Sequence, residues 1–231
     1  MLTIKESIQC IQQGGVVAIP TETVYGLAAD ASKPPAVKRI FAIKGRPADH
    51  PLIVHIGSIA QVHDWAEQIP DIFWPLAEQF WPGPLTFILK KKSQVNNLVT
   101  GGQDTIALRI PSHKKVLQLL IALNCGLAAP SANRFGRVSP TTPQHVMDEF
   151  GDDIDGVIDG GACEVGIEST ILDLSTKQLR ILRPGQISQQ QIEDFLGLPL
   201  STMKQQSPRA PGMLKAHYAP ETPLVIVRKS A

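Results

Sequence analysis

The sequence has few cysteines, and they are not arranged as a disulfide framework or a zinc site. Cys10, Cys125 and Cys163 are odd in number, lie far apart and form no CxxC pair. Disulfide-rich secreted domains and zinc ribbons need even or closely paired cysteines. We therefore expect three reduced thiols, as in a cytosolic protein.

A basic, apolar leader and long apolar runs are lacking too. No uninterrupted apolar stretch approaches the ~18 residues that a membrane-spanning helix requires. The 231 residues are 43% hydrophobic and 19% charged, an ordinary balance for a globular chain. We therefore expect a soluble, cytoplasmic protein without membrane contact. The net charge of +1 argues against a broad surface that coats nucleic acid, but it is compatible with a local basic cleft.

The best-known catalytic and phosphate-binding motifs are also absent. The sequence contains no GxxxxGK(S/T), no GxGxxG after a strand, no HExxH and no GxSxG. His50 and His55 do not have the spacing of metal ligands, so no protein metal site is predicted. P-loop, dinucleotide-binding, zinc-protease and serine-hydrolase chemistry of these types is thereby excluded.

Short apolar runs alternate with helical segments along the chain. Residues 16–19 and 105–110 have the pattern of buried strands, whereas residues 4–13 and 59–68 have helical spacing. This alternation predicts an α/β fold. In such folds, ligands bind at the loops that leave the strands.

The loop after the first predicted strand, residues 20–27, is rich in hydroxyls and carries one carboxylate, Glu22. A polar loop at a strand end is typical of a binding site. The alternative is a capping box, in which Thr21 or Thr23 bonds backbone amides at the start of a helix. These residues alone leave both interpretations open.

Several cations stand near predicted element ends, namely Lys44, Arg46, Arg109 and Arg183, and Ser131-Ala132-Asn133 follows an apolar run. Cations together with hydroxyl, amide and backbone donors suit phosphate oxygens. Arg109 lies on an apolar strand, so if it is buried it needs a carboxylate from a ligand or from the protein. Each cation also has a simpler explanation, as a helix-end charge or a surface ion pair.

Seven short motifs occur in order, and together they resemble the YrdC/Sua5 family of threonylcarbamoyl-AMP synthases. The resemblance covers about residues 5–200, and residues 207–220 resemble the linker that follows this domain in Sua5-type members. Residue 50 is histidine where the family commonly has asparagine. The motifs are PTETVYG at 20–26, KGRP at 44–47, PLIVH at 51–55, WPGPLT at 81–86, APSAN at 129–133, SPT at 139–141 and RPG at 183–185.

The resemblance implies a YrdC-like fold, a twisted mixed parallel and antiparallel sheet flanked by helices, with a concave basic cavity. Residues 1–200 would form the catalytic domain, and residues 201–231 a linker-like tail without the C-terminal Sua5 domain. The implied enzyme is a nucleotidyltransferase, L-threonylcarbamoyladenylate synthase, which uses L-threonine, bicarbonate and ATP with Mg²⁺. It carries out the first step of tRNA t6A37 biosynthesis, and its partner would be the tRNA threonylcarbamoyl-transfer machinery.

The resemblance also implies roles for individual residues. Lys44 and Arg46 are the expected catalytic pair. The expected L-threonine site is formed by Thr23, His55, Arg109, Ala129 and Ser169. The expected ATP site is formed by Arg46, His50, Thr105, Ser131, Asn133, Ser139, Arg183 and Tyr218, the last closing over the nucleotide from the tail.

Two alternatives remain at this point. A non-catalytic RNA-binding module would hold tRNA or double-stranded RNA in a basic cleft, with steep salt dependence. The second alternative is another carbamoyl-adenylate-forming enzyme, because the same domain occurs in hydrogenase-maturation carbamoyltransferases. Those proteins carry zinc-finger-like and acylphosphatase-like regions that this sequence lacks.

Overall fold

The computed structural model describes residues 1–201 and 208–212, and within them one mixed sheet organises the chain. Its strands are β1 (Val17–Ile19), β2 (Gly26–Asp30), β3 (Ile53–His55), β4 (Ala66–Glu67), β5 (Leu85–Lys91), β6 (Thr105–Arg109), β7 (Leu127–Ala128), β8 (Gly156–Val157), β9 (Thr170–Asp173) and β10 (Arg180–Arg183). The order across the sheet is β10-β9-β5-β6-β3-β7-β2-β1-β8, with β4 paired to β5. β3 and β6 run parallel, whereas β5 and β6 run antiparallel, which confirms the predicted mixed sheet.

Helices with clear local start and stop signals flank this sheet. They are α1 (Ile4–Gln12), α2 (Pro34–Lys44), α3 (Val62–Trp65), α4 (Phe73–Phe80), α5 (Asn97–Thr100), α6 (Lys114–Leu123), α7 (Pro143–Phe150) and α8 (Gln189–Leu196). Thr3 and Glu6 form a capping box at α1, and Ser188 and Gln191 form another at α8. Gly45 ends α2 in the left-handed conformation, φ +61°, which favours glycine and turns the chain toward Arg46.

One local prediction was wrong, and one of the two interpretations left open for residues 20–27 does not hold. The helix predicted over residues 59–68 is a short 3₁₀ turn followed by α3, and the chain then becomes β4, where Ala66 pairs with Lys91 of β5. β4 supplies hydrogen-bond partners for backbone groups of β5, and this pairing outweighs the helical spacing of residues 59–68. The capping box proposed for Thr21 is also not formed. Its hydroxyl accepts from the Thr23 and Val24 amides inside a loop that leads into β2, so no helix begins there.

A short segment near the C-terminal end of the described chain lies across the sheet, and we call residues 208–212 the strap. Ala210 is buried against an apolar patch that includes Ala107 and Ile171. The Arg209 guanidinium donates to the Asp49 carboxylate and to the Gly101 carbonyl. The predicted division at residue 200 stays a prediction. No helix among residues 1–201 and 208–212 is long and apolar enough to cross a membrane.

Candidate active site

Side chains from distant segments meet at the ends of β3 and β6. These strands are parallel neighbours, and their register places His55 opposite Arg109. The loop that leads into β2 and the segment after β7 complete the wall with Thr23 and Ser131. We call this space the arginine cavity because Arg46, Arg109 and Arg183 line it.

Arg109 is 3% exposed and is held on three sides. Its Nη2 donates to Glu22 Oε1 at 2.6 Å, its Nη1 to Thr23 Oγ1 at 3.0 Å and its Nε to the Gly83 carbonyl at 3.1 Å. Glu22 Oε2 accepts from the Ser112 amide at 3.1 Å. The carboxylate expected beside Arg109 is therefore the protein's own. A guanidinium has five N–H donors, so one donor on each terminal nitrogen has no acceptor in the described part of the chain, and this pair suits a second carboxylate.

His55 is the buried neighbour of Arg109 in the cavity wall. Burial, and then the positive charge of Arg109, lower the pKa of His55 well below its ordinary value. The imidazole is consequently neutral and offers one donor and one acceptor. Its Nδ1 has no hydrogen-bond partner among the described residues. Ala129 lines the wall nearby, where its small side chain leaves room for a ligand.

Lys44, at the end of α2, holds the Ser131 loop from behind. Its Nζ donates to the Ser131 and Asn133 carbonyls, both at 2.5 Å. Burial, and then the charge of Arg46, lower the pKa of Lys44 to about 7. A neutral amine still has two hydrogens, so both bonds persist after deprotonation. Lys44 does not line the arginine cavity, whereas Ser131 does.

Arg46 reaches the cavity from the turn after α2. Its Nη2 donates to the Pro51 carbonyl at 2.9 Å, and its guanidinium carbon lies 5.6 Å from the centre of the Phe135 ring. His50 contacts the same ring edge-on, with centroids 5.2 Å apart. Burial, and then the charge of Arg46, lower the pKa of His50. Among these residues Arg46 lines the cavity and His50 does not.

Arg183, at the end of β10, is anchored on Ser169. Its Nε and Nη2 donate to the Ser169 carbonyl at 3.0 and 2.9 Å, and Nη2 also donates to Ser169 Oγ at 2.9 Å. The Ser169 hydroxyl also bonds Thr86 Oγ1 at 2.8 Å. Nη1 donates to the Pro211 carbonyl of the strap at 3.2 Å. The strap therefore occupies part of the donor set of an arginine that lines the cavity.

A second cavity adjoins the first, and Val24, Glu168, Arg183 and Gly212 line both. We call it the apolar cavity because valine, isoleucine and proline side chains form much of its wall. Ser139 Oγ donates to Glu168 Oε1 here at 2.8 Å. The further lining residues are Val138, Ser139, Gly166, Ile167, Pro184 and Gly185.

Not every predicted site residue lines a cavity. Thr105 is at the far end of β6, four residues from Arg109, which corresponds to about 13 Å along a strand. Lys44, Asn133 and Ser169 lie behind the walls, and the Asn133 amide bonds the Arg134 and Arg137 carbonyls. Tyr218 lies outside the described residues. The assignment of each residue to L-threonine or ATP stays a prediction.

Sequence reasoning missed three contributors: Glu22 as the partner of Arg109, Glu168 as the carboxylate of both cavities, and the Pro211 carbonyl on Arg183. The two glutamates had a signal, because each stands in a hydroxyl-rich stretch next to a strand. The Pro211 contact had none, because it depends on how the strap crosses the sheet. Residues 1–201 and 208–212 contain no group of three or more His, Cys, Asp or Glu that could hold a metal ion.

Comparisons with known proteins identify the family of the chain. The Sua5/YciO/YrdC family model, described as telomere recombination, matches residues 9–185. A model of the threonylcarbamoyl-AMP synthase C-terminal domain matches residues 187–231, which include α8 and the tail that was predicted to be linker-like.

Two relatives are similar over most of the chain. The threonylcarbamoyl-AMP synthase of Pyrococcus abyssi is 46% identical over 94% of this chain and 65% of its own length. The threonylcarbamoyl-AMP synthase of Bacillus subtilis is 42% identical over 98% of this chain and 67% of its own length. This chain thus spans about two thirds of the length of these relatives.

A solved structure is similar in fold as well. The crystal structure of Pyrococcus abyssi Sua5 complexed with L-threonine has a TM-score of 0.89 and 44% identity, and the match covers 94% of this chain and 65% of that one. Since the family model spans more than half of the sequence and the fold agrees, this chain belongs to the Sua5/YciO/YrdC family.

Proposed function

We propose that this protein is an L-threonylcarbamoyladenylate synthase, which converts L-threonine, bicarbonate and ATP to L-threonylcarbamoyl-adenylate and pyrophosphate. The observation that carries the proposal is the meeting of Arg46, Arg109 and Arg183 with Thr23 and Ser131 in one cavity, beside a second cavity of apolar character. Two relatives bear the name threonylcarbamoyl-AMP synthase, which supports the same activity.

The reaction needs no protein nucleophile. The neutral amine of L-threonine attacks the carbon of bicarbonate, and loss of water leaves a carbamate. A carbamate oxygen then attacks the α-phosphorus of ATP, and the bond from that phosphorus to the bridging oxygen breaks to release pyrophosphate. The protein must align two anions and stabilise charge on phosphate oxygens, which cations and hydroxyls can do.

For L-threonine, the proposed anchor is Arg109, whose two remaining N–H donors would bind the carboxylate as a fork. Glu22 holds this fork in place. Neutral His55 adds a hydrogen-bonding group without adding positive charge to the wall. Thr23, Ala129 and Ser169 would complete the site.

For ATP, the proposed phosphate contacts are Arg46, Ser131 and Arg183, and the apolar cavity would take the nucleoside. Arg183 can bind phosphate oxygens more fully when the Pro211 carbonyl leaves its Nη1. Lys44 would act by fixing the Ser131 loop. The further ATP contacts proposed are His50, Thr105, Asn133, Ser139 and Tyr218.

Mg²⁺ would enter with the triphosphate, held mainly by phosphate oxygens and water, as is usual for this ion with nucleotides. When bound, it would neutralise charge on the triphosphate. The product is an activated carbamoyl group, so a transfer enzyme that modifies tRNA would consume it in t6A37 biosynthesis. The cytoplasm is the proposed location.

The test is pyrophosphate release from ATP by the purified protein, with L-threonine and bicarbonate each omitted in turn. We expect release only with both. Arg46→Ala should abolish it while circular dichroism stays unchanged, because Arg46 faces the cavity. Arg39→Ala is the control, since Arg39 is an exposed arginine of the helix that precedes Arg46, and it pairs with Asp155.

Other outcomes would point elsewhere. Release that does not depend on threonine would refute the proposal. Salt-sensitive RNA binding without threonine-dependent ATP consumption would favour an RNA-binding module. Pyrophosphate release with a different carbamoyl source, and none with threonine, would indicate another carbamoyl-adenylate-forming enzyme.

A further inference from the structure

Glu168 stands where the arginine cavity and the apolar cavity meet. It follows the β8 strand in a loop that leads into β9, and its side chain is 16% exposed. Among the described residues that line the two cavities, it is the only one with a carboxylate. The other charged side chains that line these walls in the described part of the chain are Arg46, Arg109 and Arg183, so a single carboxylate among them needs a physical reason.

The contacts of Glu168 join it to the groups proposed for ATP. Oε1 accepts from Ser139 Oγ at 2.8 Å. Oε2 lies 3.7 Å from Arg183 Nη2, an ion pair longer than a hydrogen bond. A carboxylate has about four lone-pair positions, so these contacts leave it capacity to accept more.

A triphosphate in the adjoining cavities would bring several negative charges close to this carboxylate. Like charges in a partly buried site repel, so a bare nucleotide would be opposed by Glu168. A divalent cation between the carboxylate and the phosphates would turn this repulsion into attraction, because both groups would bind the cation. Mg²⁺ in nucleotide sites is typically bound by one or two carboxylates together with substrate phosphates, and one carboxylate at the junction fits this requirement.

We infer that Glu168 is the protein ligand of the divalent cation that accompanies ATP, with the metal site completed by phosphate oxygens and water. The inference rests on the proposed function, because it assumes a nucleotide in these cavities. Two other roles are distinguishable from it. Glu168 could only position Ser139 and Arg183, or its carboxylate could bind the ammonium group of L-threonine.

The experiment compares nucleotide affinity with and without the metal. Isothermal titration with the non-hydrolysable analogue α,β-methylene-ATP is run in Mg²⁺ and again in EDTA, for the wild type and Glu168→Gln. In Mg²⁺ we expect the variant to bind the analogue more weakly, on the order of tenfold, as for loss of a group that supports a metal. In EDTA we expect it to bind more tightly than the wild type, because the repulsion is gone.

Three comparison variants test whether the expected reversal, weaker binding in Mg²⁺ and tighter binding in EDTA, is specific to the Glu168 carboxylate. Ser139→Ala removes the hydroxyl that contacts Glu168, so it should weaken binding in both buffers. Glu164→Gln removes a nearby exposed carboxylate and should change neither affinity. Glu168→Asp keeps the charge and should keep the Mg²⁺ preference of the wild type, which preserves the test if Glu168→Gln does not fold.

Electron paramagnetic resonance of Mn²⁺ supplies a second readout that does not involve turnover. The wild-type complex with the analogue should hold Mn²⁺ more tightly than the Glu168→Gln complex. Weaker analogue binding by Glu168→Gln in both buffers would assign Glu168 to positioning and overturn the metal role. If Glu168→Gln changed only the affinity for L-threonine, the metal role would be overturned in favour of a site for the threonine ammonium group. Failure of the wild type to bind the analogue in either buffer would instead refute the proposed function.

Discussion

Glu22 and Arg109 form a buried ion pair, and its removal from one side should be costly. The two side chains are 6% and 3% exposed, and their charged atoms are 2.6 Å apart. Glu22→Gln keeps the shape and one acceptor oxygen but leaves the Arg109 charge buried without its counter-ion. Breaking a buried pair in this way costs about 3–5 kcal/mol. That is a large part of a typical free energy of unfolding, about 5–15 kcal/mol.

Urea denaturation followed by circular dichroism measures this cost. With a slope of about 3 kcal/mol per molar urea, the loss corresponds to a midpoint lower by about 1 to 1.7 M. Asp49→Asn is the matched control, because it removes the Arg209 ion pair, whose side chains are 54% and 62% exposed. Exposed pairs contribute little, so its midpoint should stay close to that of the wild type.

A double-mutant cycle separates the charge from the packing. Arg109→Gln should also destabilise, whereas the combined Glu22→Gln and Arg109→Gln variant should cost clearly less than the sum of the two, because no unpaired charge remains. If the two changes were additive, or if Glu22→Gln were as stable as Asp49→Asn, the ion pair would not be what holds Arg109.

Two further predictions concern Lys44 and Gly185. The pKa of Lys44 is lowered to about 7 from 10.5, so between these values the unfolded chain holds one more proton than the folded chain. The free energy of unfolding should therefore rise with pH over this window, by up to about 1.4 kcal/mol per pH unit. Urea midpoints measured across the window should rise less for Lys44→Met than for the wild type, because methionine does not titrate. A Cβ added at Gly185 would lie 2.4 Å from the Glu168 carbonyl oxygen and 2.4 Å from the Thr170 amide nitrogen. Gly185→Ala should consequently lower stability by about 1–3 kcal/mol and weaken nucleotide binding, and an unchanged urea midpoint would contradict the packing described.

Elements with signals in their own residues were predictable. The apolar run at β1, the capped helix α1 and the proline-started helix α7 follow from short-range patterns, because caps and side-chain periodicity act within a few residues. The short strands β2 and β4 were not predicted. Gly26–Asp30 is rich in glycine and alanine, and Ala66–Glu67 is a strand only because β5 lies beside it.

For the candidate site, too, some features were predictable from the sequence and others were not. The motifs contain Arg46, Ser131 and Arg183, and Arg109 was singled out as a cation on an apolar strand. All four line one cavity. The motifs did not tell which polar groups face a ligand and which hold the wall. Lys44 illustrates this, since its sequence neighbourhood indicates a cation for phosphate, whereas its Nζ bonds two carbonyls 87 and 89 residues away.

By itself the sequence determined the fold class, the family and the set of residue types available for chemistry, because these depend on local periodicity and on motifs in order. Only the tertiary structure decided that Glu22 neutralises Arg109, that Glu168 joins two cavities and that the strap covers part of Arg183. The physical reason is distance along the chain. A buried charge is stabilised by whichever partner the packed strands bring within a few ångströms, and no short-range pattern encodes which partner that is.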